Sequence, residues 1–143
     1  MYLPIASQEN IVPLMMKIFI ESRDELRIIN LSEVLYLRAS HNYTDFVYTD
    51  GRVKSELMNI SFLESQIAEM TSQRNIRNPF VHVGRSLLVN TIHVEVLSMK
   101  LQKIIFKTTP PTSIPVSKFL LKSLKEKISE RLAEDSYAVR NIS

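Results

Sequence analysis

Cysteine is absent from the 143 residues, which excludes disulfides, thiolate metal sites and cysteine nucleophiles. Glycine is nearly as scarce, since only Gly51 and Gly84 occur. A phosphate-cradling loop needs two or three glycines close together, so neither a P-loop nor a dinucleotide fingerprint can be written. No apolar run is long enough to cross a bilayer: the longest, Ile11 to Ile20, is interrupted by Pro13 and Lys17. The residues before it carry neither a basic n-region nor a small-residue cleavage site, so no signal peptide is expected. The three histidines, His41, His82 and His93, are never three or four residues apart, which removes a helical metal pair. Carboxylates are scattered and no nucleophile turn is recognisable. No catalytic residue, metal or cofactor is therefore assigned, and a cytoplasmic protein without membrane insertion is expected.

What remains is an ordinary globular composition, with 45% hydrophobic and 23% charged residues. At this length one domain can bury roughly 70% of the unfolded chain's surface, enough for a real core. The charge is unevenly placed. Residues 1–78 hold 8 Lys/Arg against 10 Asp/Glu, whereas residues 79–143 hold 10 against 5. A basic second half points toward polyanionic partners, although an uneven soluble surface would look the same.

Residues 1–13 show no periodicity and read as a leader or linker. Strand signals follow. Met16, Ile18 and Ile20 alternate with Lys17 and Glu21, and Leu26 and Ile28 alternate with Glu25 and Arg27 across a polar turn at Ser22 to Asp24, which predicts a hairpin. Val34–Ala39 and Tyr43–Thr49 form two more β-rich runs around the break Ser40-His41-Asn42. Asp50-Gly51 predicts a type I′ turn into Arg52–Met58. The period then changes: Leu63, Ile67 and Met70 predict a helix over Ser61–Thr71, with Ser61 and Glu64 spaced as a capping box. Alternation returns in Ile92, Val94 and Val96, and in Ile104 and Phe106. A short apolar run after Pro110-Pro111 ends at Val116. Leu121, Leu124, Ile128 and Leu132 then mark a terminal helix with Ser117 as N-cap. Many strands, one helix, more strands and a last helix argue for antiparallel sheets with appended helices. Tyr36, Tyr43, Phe46 and Tyr48, at strand spacing, are expected in the core and in cross-strand pairs, not on a base-stacking platform.

One segment carries a chemical suggestion. In Phe80-Val81-His82-Val83-Gly84-Arg85-Ser86-Leu87-Leu88-Val89-Asn90, a glycine, a guanidinium and a hydroxyl stand just before an apolar strand. Arginine donates two parallel hydrogen bonds to guanine O6 and N7, the commonest base-specific contact in the major groove, though a surface arginine in a β-turn fits these residues equally well. Taken with Val34-Leu35-Tyr36-Leu37-Arg38-Ala39-Ser40-His41-Asn42-Tyr43 and Ile114-Pro115-Val116-Ser117-Lys118, and with Leu63-Glu64 in the helix between them, this segment resembles the LytTR DNA-binding domain family in order and spacing. The likeness runs from about Leu14 to Leu132. It departs from the family pattern at Arg38, where a glutamate is usual, and at His82 and Gly84, where arginine and histidine are usual.

The resemblance implies a mainly β fold, an elongated stack of antiparallel sheets with one short internal helix and a C-terminal helix. The domain would span residues 14–133, with a tail over 134–143. It implies a response-regulator output domain of bacterial type that reads successive major grooves of duplex DNA through loops. Carried over by position, the base-contacting candidates are Arg85, Asn42, Tyr43 and Lys118. His41, His82 and Ser86 are candidates for phosphate contact or loop support. So are Lys122 and Lys125, which with Lys118 form a basic stripe on the terminal helix; such stripes are usually just solvated faces.

The stretch before Met15 is too short for a receiver domain, so a free-standing regulator or a separate output module is expected. Its partners would be duplex DNA bearing paired short repeats, a second copy on that DNA, and a separate sensor or membrane protein. The competing expectation is an interaction module of the same fold that has lost DNA binding.

Overall fold

The structure, a computed structural model, describes residues 16–134 and 136–140. The expected leader and the end of the tail lie outside the described residues. The chain divides into two units: one runs through His82 and takes in Ser86–Ile92, and the other comprises Val83–Arg85 and the residues from His93 onward.

The first unit opens with the predicted hairpin, β1 (Lys17–Glu21) antiparallel to β2 (Leu26–Asn30). The first strand has the expected phase, with Met16 buried and Ile18 and Ile20 half-buried, and that of β2 differs from the expectation. Ile29, not Ile28 or Leu26, turns into the core, and Phe19, Leu26 and Ile28 are left exposed on the outer face, where Phe19 and Ile28 are cross-strand partners. The reason lies in Arg27. Its guanidinium meets the buried Glu56 carboxylate with Nη2 to Oε1 at 2.6 Å and Nε at 3.0 and 3.1 Å from the two oxygens. A two-pronged ion pair of this kind lets a charged residue face inward and fixes the phase of the strand. The same hydrogen bonds raise the arginine's already high pKa.

The larger sheet of this unit runs in the order β5-β4-β3-β7-β6, with β3 (Val34–Ser40), β4 (Tyr43–Tyr48), β5 (Val53–Glu56), β6 (Phe80–Val83) and β7 (Leu87–Asn90). The central strand β3 buries four successive residues, Val34 to Leu37, as expected for a strand covered on both faces. A register shift between Val34 and Tyr36 in its pairing with β4 marks a bulge. Met16, Leu31, Phe46, Leu63, Ile67 and Leu88 are the heart of the core. Tyr36, Phe46 and Tyr48 are buried as expected, while Tyr43 is 48% exposed.

Two local expectations are corrected. The turn after β4 is a three-residue loop in which Gly51 N donates to Tyr48 O and only Gly51, at φ 92°, has positive φ. It is therefore a type I turn followed by a left-handed glycine, not a type I′ turn. Helix α1 (Ile60–Gln73) starts one residue earlier than expected, because Asn59 is the cap: its side-chain oxygen accepts from Ser61 N at 2.7 Å. Glu64, freed from the capping box, lies 3.1 Å from His82 Nδ1.

In the second unit, β8 (Val94–Ser98), β9 (Lys103–Phe106) and β10 (Thr112–Pro115) form an antiparallel sheet in the order β10-β9-β8. Helix α2 (Lys118–Leu132) follows, with the Ser117 hydroxyl accepting from Leu120 N at 3.4 Å as the predicted N-cap. Ile104, Phe106, Ile114, Val116, Leu121 and Leu124 are buried. Ile92 sits in the short 3-10 turn Thr91–His93, and a bulge between Val94 and Val96 turns Val96 outward, so the expected alternation of that run is broken. The secondary structure is mainly β, in antiparallel sheets with two α-helices, as expected.

Candidate nucleic-acid interface

The two units hold different candidate residues. In the first, β3 and β4 pair up to Ser40 and Tyr43, so His41 and Asn42 form a two-residue hairpin loop. Both are exposed, and His41 has φ 57°. Positive φ is uncommon outside glycine, and a non-glycine residue held there stores backbone strain of the kind that collects at functional sites. Tyr43 leaves this loop with its ring partly in solvent. The loop therefore offers an amide, an imidazole and a phenol, each able to hydrogen-bond a base edge or a phosphate. Just behind it, Arg38 lies over the Tyr36 ring at 5.2 Å from the centroid, so the residue that replaces the family's glutamate is occupied by a cation–π contact.

His82 and Ser86 belong to the same unit and have structural attachments. The Glu64 carboxylate beside His82 ties β6 to α1. The backbone carbonyl of Ser86 accepts from Ala39 N at 2.8 Å, which fastens the start of β7 to β3. Both arrangements suit loop support, and the carboxylate next to His82 disfavours a phosphate at the same spot.

Asn90, the last residue of the motif segment, received no role from sequence. It is fully buried, donates from Nδ2 to the carbonyls of Leu31 at 3.2 Å and Val34 at 2.9 Å, and accepts from Ile92 N at 3.1 Å. One amide thus satisfies three backbone groups where the chain enters β3 and leaves β7. The motif asparagine is a bracket for the sheet and is not available to a ligand.

In the second unit Gly84 adopts φ 66°, and a Cβ there would lie 3.2 Å from Leu120 Cδ1. The turn that carries Arg85 therefore rests on the first turn of α2. Arg85 is exposed, and among the described residues no hydrogen bond or ion pair engages its guanidinium. Lys118, Lys122 and Lys125 are exposed and line one recess of about 540 Å³ with Met99, Glu126, Ser129 and Glu130. Lys118 opens α2, where the helix dipole makes a cation mildly unfavourable and an incoming anion favourable. Arg85, Lys118 and the two lysines that follow thus share one unit. Sequence reasoning also passed over Phe119, the neighbour of Lys118, which is 81% exposed.

Among the described residues no group of three His, Asp or Glu side chains is placed to hold a metal ion. No described helix is long and apolar enough to cross a membrane.

The sequence pattern of the LytTr DNA-binding domain matches residues 24–129. No curated protein matches the chain. Among solved structures, the chain is similar to the LytTr DNA-binding domain of a protein described as a methyl-accepting/DNA response regulator from Bacillus cereus. That likeness has a TM-score of 0.56 and 15% sequence identity, and covers 79% of this chain and 96% of the other. At that identity it speaks for the fold.

Proposed function

Because the chain belongs to the LytTr DNA-binding domain family, we propose that it is a non-catalytic, cytoplasmic transcription regulator that reads specific duplex DNA through its loops. The observation that carries this reading is the Arg85 turn. An exposed guanidinium without a described protein partner stands on a left-handed glycine that abuts α2, whose first residue is Lys118. A protein that keeps an arginine unpaired on a braced turn has a ready two-donor fork for guanine O6 and N7. Lys118, Asn42 and Tyr43 supply further base-edge contacts, and Lys122 and Lys125 neutralise phosphates. His41 supports its hairpin loop, and His82 and Ser86 support theirs. Paired short repeats on one face of the duplex, each bound by one copy, follow from loop-based reading.

The test is to select bound duplexes from a random pool with the full chain and then titrate salt on the selected site. An enriched motif and a log–log salt slope of several ions support the reading, because each neutralised phosphate releases about 0.9 of a counterion from B-DNA. Selection of no motif at physiological salt counts against it.

A second reading, an interaction module that pairs with another regulator or a membrane-bound sensor, is favoured by a different feature: Phe19, Leu26 and Ile28 exposed together on the outer face of the β1–β2 hairpin. Apolar side chains grouped on one strand face mark contact sites more often than single exposed residues do. Retention on heparin that vanishes at low salt, together with an empty DNA selection, would favour that module.

A further inference from the structure

Phe119 is the residue of the first turn of α2 that points away from the core. At about 100° per residue it lies opposite the buried Leu121 and Leu124, and the residue is 81% exposed. Single exposed apolar residues are common and carry no meaning alone. The surroundings of this one are specific. Lys118 precedes it, and Lys122 stands one turn on at i+3. Leu120, the next residue, receives Gly84 of the Arg85 turn. The Ser117 cap fixes the first turn of the helix, so the ring is carried by a rigid element.

An aromatic ring held out among cations fits a partner that is polyanionic at its rim and apolar at one point inside. The major groove has that character at thymine, whose 5-methyl group projects between flanking phosphates and is contacted by apolar side chains, phenylalanine among them. We propose that Phe119 is a specificity-determining residue that packs on a thymine 5-methyl group next to the base pair addressed by Lys118. The inference rests on the DNA-reading function proposed above and adds a thymine requirement that the polar candidates do not impose.

The experiment uses the full chain and the selected duplex. Each thymine of the motif is replaced singly by deoxyuridine, which lacks only the methyl group. Binding is measured for the unaltered chain, Phe119→Ala and Phe119→Leu, with circular dichroism to check folding. At one thymine, deoxyuridine should weaken the unaltered chain by about 4-fold, the factor for one buried methyl-sized group. Phe119→Ala should bind the thymine and deoxyuridine duplexes equally, and Phe119→Leu should retain part of the preference. A motif without thymine, tolerance of every deoxyuridine by the unaltered chain, or an undiminished thymine preference in Phe119→Ala each overturns the assignment while leaving DNA reading intact. If no motif is selected at all, DNA reading fails and the Phe119 assignment fails with it.

Discussion

Gly84 and Leu120 approach so closely that a methyl group on the glycine would stand 3.2 Å from the leucine Cδ1. Leu120 Cδ1 is the end of a flexible side chain and can yield by a few tenths of an ångström. The φ of 66° cannot yield without moving Arg85. Gly84→Ala should therefore cost about 1–2 kcal/mol, the penalty of a left-handed non-glycine residue. Trimming the contact with Leu120→Ala should not recover that cost, whereas Gly84→Asn should be milder because asparagine tolerates this region. Urea midpoints of the three variants check the ranking. Full recovery in the Gly84→Ala, Leu120→Ala pair would mean that crowding, not backbone conformation, requires glycine here.

The hairpin loop of the first unit invites a different comparison. His41 holds positive φ at the first loop position, so His41→Gly relieves strain while adding freedom to the unfolded chain. The two effects are of similar size, and stability should stay within about 1 kcal/mol. Asn42 can hydrogen-bond adenine N6 and N7 together, so Asn42→Ala should relax base preference at one position of the selected motif. An unchanged preference with intact circular dichroism would make Asn42 a turn residue only, and would leave Tyr43 and His41 as the loop's reading groups.

Much of this architecture was legible because it is written in local signals. Alternation marked most of the strands, Asp50-Gly51 located the β4–β5 loop, and Ser117 with Leu121 and Leu124 defined α2 from its cap to its buried face. Two of the misreadings share one physical cause, a partner distant in sequence. Arg27 faces inward because Glu56, 29 residues away, receives it, and this reverses the apparent phase of β2. Glu64 is spaced for a capping box but is drawn to His82, 18 residues away, leaving the cap to Asn59. At the candidate site, Arg85 and Lys118 stood out through motif spacing. Asn90 could not reveal its task, because its carbonyl partners lie 59 and 56 residues upstream. Phe119 adjoins Leu120 and Leu121 in an apolar triplet, and only the helical phase set by Leu121 and Leu124 says which member faces water.

The Asn90 bracket predicts a stability loss without a direct loss of DNA contacts. Asn90→Ala strands two carbonyls and one amide that water cannot easily reach, and should cost about 1–3 kcal/mol. Asn90→Asp should be worse. A carboxylate cannot donate to the Leu31 and Val34 carbonyls, and its charge would be buried. Denaturant unfolding gives the ranking, and binding measured well below the unfolding midpoint should show near-normal base preference. A large change of preference in folded Asn90→Ala would instead place this residue in communication with the reading loops.

Arg85 and Lys122 separate base reading from phosphate anchoring, because the two kinds of contact respond differently to sequence and to salt. Arg85→Ala removes the proposed two-donor contact with guanine, so it should cost about 1–3 kcal/mol on the selected site and much less on unrelated DNA. Lys122→Ala removes at most one phosphate contact, so affinity should fall by a similar factor on every duplex and the log–log salt slope should flatten by about 0.9. Both side chains are exposed, so neither substitution should disturb folding, which circular dichroism checks. The decisive measurement is a salt titration of both variants on the selected duplex and a scrambled one. Equal losses for Arg85→Ala on the two duplexes would make the arginine a phosphate anchor. No loss on either would leave the Gly84-Arg85 turn without a part in DNA recognition.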